Sequence, residues 1–187
     1  MNVTMTDIKK LREMTGAGLS DCKKALAESD DMDGAVAYLR KKGQAVAAKR
    51  SDREAAEGCV LVKVADGFGA IIALKCETDF VANNADFVAL TQQILDAAVA
   101  NKCKSLEEVN ALPMGDGTVA DAVTARSGIT GEKMELDGYS YIEGDNICTY
   151  NHMNRNGLCA MVAFSAPVEA EVGKNVAMQV ASAAPVA

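Results

Sequence analysis

Few residues of this 187-residue chain carry side chains suited to covalent catalysis or metal binding, and their spacing works against both. There is one histidine, His152, and six cysteines: Cys22, Cys59, Cys76, Cys103, Cys148 and Cys159. Zinc sites draw on several His or on clustered Cys, and no C-x-x-C pair occurs here, so no metal site is expected. A Cys–His nucleophilic pair would need one thiol singled out beside His152, and nothing in the sequence does that. With no signal peptide at the start, the dispersed thiols, several of them inside apolar runs, read as buried groups in a reducing cytosol rather than as a disulfide framework. The chain is therefore expected to be cytoplasmic.

A different kind of chemistry is offered by LKCETDFVANNADF, from Leu74 to Phe87. An apolar strand ends there and the chain turns polar at Glu77, Thr78 and Asp79. One of only four phenylalanines, Phe80, then falls on the loop. Either it folds back onto its own core, as most Phe side chains do, or it is presented to another molecule. The net charge of −7 argues against general nucleic-acid binding, which needs Lys and Arg to displace counterions from phosphates. With no Trp and only 4% aromatic residues there is little surface on which bases could stack. No apolar run reaches the roughly 18 residues that would span a membrane. A protein partner is the reading left.

Three segments surround these residues. The first is helical: Thr4 or Thr6 can cap a helix with Met5, Ile8 and Leu11 on one face, and TGAG (Thr15 to Gly18) breaks it. Leu19, Cys22, Ala25 and Leu26 recur at helical spacing in a second helix. Met32, Ala35, Val36 and Leu39 do so in a third, expected to stop before Gly43. These make a miniature three-helix bundle over residues 1–54. It ends in a basic stretch (Arg40, Lys41, Lys42, Lys49, Arg50, Arg53) that lacks aromatic interleaving and reads as a solvated linker or helix extension.

The second segment, residues 55–140, opens with two runs rich in Val and Ile around Asp66-Gly67, a hairpin signal. After the Phe80 loop, Asn84 can cap a long helix with Phe87, Val88, Leu90, Thr91, Ile94, Leu95 and Ala98 on its apolar stripe. Ser105 to Glu108 forms a capping box, and a further helix from Thr118 is expected to end near Gly128. The third segment, residues 141–187, follows the extended run at Met134 to Glu143. It adds runs at Asn146 to Met153 and Leu158 to Phe164, then a helix from about Val168 to Ala183. Strands and helices alternate in an α+β manner with antiparallel strands, and the last segment is too small for a core of its own. An apolar face left uncovered there would favour a homodimer.

LREMTGAGLSDCKKAL (Leu11 to Leu26) and CETDFVANNADF (Cys76 to Phe87), followed by TYNHMNRNG and VGKNVAMQVA, closely resemble bacterial elongation factor Ts, the guanine-nucleotide exchange factor for elongation factor Tu. The resemblance implies a ubiquitin-associated-type three-helix domain before an α+β core, whose second half is here incomplete. It implies a factor with no catalytic residue, no cofactor and no direct contact with nucleic acid or membrane. Its partner would be elongation factor Tu, both GDP-bound and nucleotide-free. The Asp-Phe pair of the family motif falls on Asp79 and Phe80, flanked by Thr78 and Val81. Further partner contacts carry over to Lys9, Arg12, Leu19 and Ser20, where Ser20 replaces a larger apolar residue, and to Met134 and His152. The rival reading is an adaptor whose three-helix domain binds ubiquitin-like or other small proteins.

Overall fold

The computed structural model describes residues 3–186. Thr4 starts the first helix, α1 (Met5–Thr15), through a reciprocal box: its hydroxyl accepts the Asp7 amide while the Asp7 carboxylate accepts the Thr4 amide and hydroxyl. Those bonds, the side-chain one foremost, hold the Asp7 carboxyl below its usual pKa. Gly16 ends α1 in the left-handed region at φ 71°, where a side chain would be strained. Helices α2 (Leu19–Ala27) and α3 (Met32–Lys49) follow, the latter capped by the Asp31 side chain on the Gly34 amide. Ile8, Leu11, Cys22, Ala25, Leu26 and Ala35 form the buried core between them, with Met32, Val36, Leu39 and Ile129 packed around it.

One expectation about a helix end fails. Helix α3 does not stop before Gly43 but runs on to Lys49, so the basic residues Arg40, Lys41, Lys42 and Lys49 are helical. The later helix, α7 (Val119–Thr130), likewise passes through Gly128 and stops at Gly131, with φ 74°. Both glycines lie where two helix backbones touch: a Cβ on Gly128 would collide with the main chain of Gly43. They are packing positions rather than breakers. One compact unit accordingly consists of Met1–Glu54 together with Asp121–Met134.

The other unit, Ala55–Ala120 with Glu135–Ala187, is built on an antiparallel sheet in the order β1 (Glu57–Ala65), β2 (Phe68–Cys76), β5 (Glu135–Glu143). The β1–β2 hairpin turns at Asp66 and Gly67 with φ 49° and 73°, the left-handed pair a two-residue turn requires. Central β2 is buried at Phe68, Ala70, Ile72, Leu74 and Cys76. A one-turn helix, α4 (Asp79–Ala82), leads into α5 (Ala85–Ala100), which Asn84 caps as expected. Phe87, Leu90, Ile94, Leu95 and Ala98 of α5 are buried, and the helix packs on β1 and β2.

Ser105 caps α6 (Leu106–Ala111), and a small hairpin of β3 (Pro113–Met114) and β4 (Gly117–Thr118), not anticipated from sequence, leads to α7. Strands β6 (Ile147–Asn151) and β7 (Cys159–Ala163) pair antiparallel beneath α8 (Ala170–Ala183). Gly173 lets α8 approach β6, because a Cβ there would meet the Cys148 sulfur. Val172, Val176 and Met178 remain exposed on the same helix. The fold is α+β, and no helix among the described residues is long and apolar enough to cross a membrane.

Candidate functional site

The residues after β2 do not form an open loop. Thr78 is an N-cap residue by type and by geometry: its hydroxyl accepts the Val81 amide at 3.4 Å and its carbonyl accepts the Ala82 amide at 3.1 Å. At the other end of the turn, the Asp79 carbonyl accepts both the backbone amide of Asn83, at 3.0 Å, and its side-chain Nδ2, at 2.8 Å. The Asn84 amide donates to the Val81 carbonyl, and the Asn84 side chain then accepts the Asp86 amide to start α5. The strand end, the single turn and the long helix are thus joined by one run of hydrogen bonds.

On this turn Phe80 is 85% exposed. Asp79 is also exposed, while Thr78 and Val81 are half-buried. The alternative in which Phe80 folds back onto its own core is excluded. A lone exposed apolar residue is ordinary; this one is a large aromatic ring on a hydrogen-bonded turn. Thr78, ahead of Asp79, was the sequence signal for helix rather than loop. The supporting groups Cys76 and Asn83 were missed, because neither residue type announces a bracing role.

The bundle unit carries a second group of expected contact residues. Lys9 and Arg12 lie three apart on α1, hence on one face; both are exposed, and neither makes an ion pair among the described residues. Leu19 and Ser20 open α2. Leu19 is 46% exposed, so it is not bundle core as its helical spacing suggested. Met5 and Met14 of α1 are exposed as well. Met134, half-buried, closes the chain segment of this unit that precedes β5. His152 belongs to the other unit. It sits exposed on the turn after β6, where its Nδ1 lies 3.0 Å from the Tyr150 hydroxyl.

Covalent thiol chemistry has little support. All six cysteines are free. Desolvation raises the pKa of Cys22, Cys59 and Cys103, and pushes that of Cys159 up to about 11. A thiol held up by burial is a poor nucleophile at neutral pH.

Comparison with known proteins identifies the family. A model of the family described as elongation factor TS matches residues 77–187, beginning one residue before Thr78. The chain is 72% identical over its full length to elongation factor Ts of Bacteroides fragilis and 66% identical to that of Bacteroides thetaiotaomicron, spanning 57% of each. It is 56% identical to elongation factor Ts of Porphyromonas gingivalis, of which it spans 69%.

Proposed function

Because the chain belongs to the elongation factor Ts family, we propose that it promotes GDP release from elongation factor Tu by docking on that protein's nucleotide-binding domain and inserting the Asp79-Phe80 turn. The ring of Phe80 enters between two helices of the partner. A close-packed interior cannot absorb an added aromatic without shifting, and the shift disturbs the groups that hold magnesium and the GDP phosphates. No bond is made or broken, so the chain acts as an exchange factor and not as an enzyme, in the cytoplasm. Lys9, Arg12, Leu19 and Ser20 dock the bundle, and Met134 and His152 add contacts.

The thermodynamics is linkage. The factor and GDP each weaken the other's affinity for elongation factor Tu by the same factor, and every ~1.4 kcal/mol of that coupling is tenfold. Both the GDP-bound and the nucleotide-free partner must therefore be bound, the second more tightly. The apolar residues left exposed on α8, Val172, Val176 and Met178, favour self-association of the chain as a homodimer, which sedimentation across a range of concentrations reads.

The exposure of Phe80 on a hydrogen-bonded turn is the observation that carries this reading. Its test is the rate at which a fluorescent GDP analogue leaves elongation factor Tu in the presence of the wild-type chain, Phe80→Ala and Asp79→Ala. Release should slow by about tenfold or more for Phe80→Ala. Equal release by wild type and Phe80→Ala overturns the wedge. A lysate capture dominated by a protein that is not a GTPase favours the adaptor instead.

A further inference from the structure

Helix α4 is four residues long, far below the length at which a helix sustains itself in water. What holds Phe80 in a fixed direction must therefore come from outside the turn. Cys76, the last residue of central strand β2, is fully buried and paired with Glu57 across the hairpin. Its thiol points forward along the chain and donates to the Thr78 carbonyl at 3.2 Å. That carbonyl is the acceptor for the Ala82 amide, and Thr78 itself caps Val81. The Cys76 sulfur thus ties the end of the sheet to the turn, while Asn83 closes its other end on the Asp79 carbonyl.

We infer that Cys76 is a positioning residue for the exchange reaction: its thiol fixes the Thr78 carbonyl to the end of β2 and so sets the direction in which the Asp79-Phe80 turn presents its ring. The inference rests on the exchange reading above and deepens it. A weak S–H donor suffices here, because the strand end is already immobile and the bond has only to select one orientation of the following peptide. A wedge acts through where it points, so loosening it lowers the rate in the assembled complex. Docking, which rests on the bundle residues, is left nearly unchanged.

The test compares Cys76→Ala, which removes the donor, with Cys76→Ser, which restores a hydroxyl donor in its place. Two readouts are needed in the full chain: amide hydrogen exchange at Val81 and Ala82 in the free protein, and GDP release from elongation factor Tu as a function of factor concentration. Cys76→Ala should expose the two amides about threefold to tenfold faster with Ile72 on β2 unchanged. It should also lower the maximal release rate by a similar factor at little cost in half-saturating concentration. Cys76→Ser should recover most of both. Unchanged protection of Val81 and Ala82 in Cys76→Ala overturns the brace, as does a serine variant that falls with the alanine one, since the sulfur then acts by filling space. Phe80→Ala run alongside separates the two ideas. If it releases GDP at the wild-type rate, the wedge fails, whereas the amide data still decide whether the thiol holds the turn.

Discussion

The turn Asp79–Ala82 and the helix Ala85–Ala100 are neighbours in one hydrogen-bonded run, and each carries a phenylalanine put to an opposite use. Phe87 is 1% exposed and is among the largest fully buried side chains of its unit; Phe80 is 85% exposed. Hydrogen bonds hold the backbone around both. Order and burial are therefore separate properties here. Phe87 is held by packing, whereas the exposed ring of Phe80 stands on a turn held by caps and side-chain hydrogen bonds.

Truncating each ring shows the difference most strongly. Phe87→Ala should lower unfolding stability by about 3–5 kcal/mol, the cost of an emptied aromatic site in a core. Phe80→Ala should stay within about 0.5 kcal/mol of wild type while slowing GDP release from elongation factor Tu. Denaturant unfolding of both variants checks this, and a loss of several kcal/mol at Phe80 would erase the distinction.

Removing a cap rather than a ring tests what holds the turn. Thr78→Ala should cost about 1 kcal/mol, the usual value of an N-cap, with loss of amide protection centred on Val81 and not on α5. Charge reversal at Lys9 and Arg12 concerns the other presented surface. It should slow association with elongation factor Tu several-fold and flatten its salt dependence, leaving release from the formed complex fast; stopped-flow mixing at two ionic strengths reads it.

A pH-dependent effect belongs to the packed side. Tyr139 on β5 donates its hydroxyl to the Cys103 carbonyl at 2.6 Å, and burial pushes its pKa up to about 12. A folded pKa above the unfolded value of about 10 means its contribution is complete below about pH 10 and is lost as pH rises toward 12. The thermal midpoint of wild type should fall across that window, and Tyr139→Phe should show less of the decline.

The hairpin at Asp66-Gly67, the caps at Thr4, Asn84 and Ser105, and the stripe of α5 were legible because each rests on local chemistry: a residue type at a fixed offset. The end of α3 was not. Gly43 and Gly128 look like helix breakers in isolation, and only the approach of two backbones distant in sequence shows why neither breaks its helix. Leu19 fitted an apolar period yet lies outward, since periodicity marks a face without saying what covers it. At the candidate site the family motif pointed to Asp79 and Phe80. That they ride on a braced helical turn depended on Cys76 and Asn83 donating to main-chain carbonyls, which accept from many residue types and so single out neither residue in the sequence.

The meeting of Gly43 with Gly128 also sets an order of events in time. The unit begun by Met1–Glu54 is completed by Asp121–Met134, so a ribosome adding roughly 5–20 residues per second delivers the closing segment on the order of 5–15 s after α3. During that interval three short helices stand with one side open, too small a body for much stability of its own. The β1–β2 hairpin, whose partners are consecutive, can form at once. The part of the chain made first is therefore finished late, and its open flank is what a chaperone or protease would meet on the nascent protein.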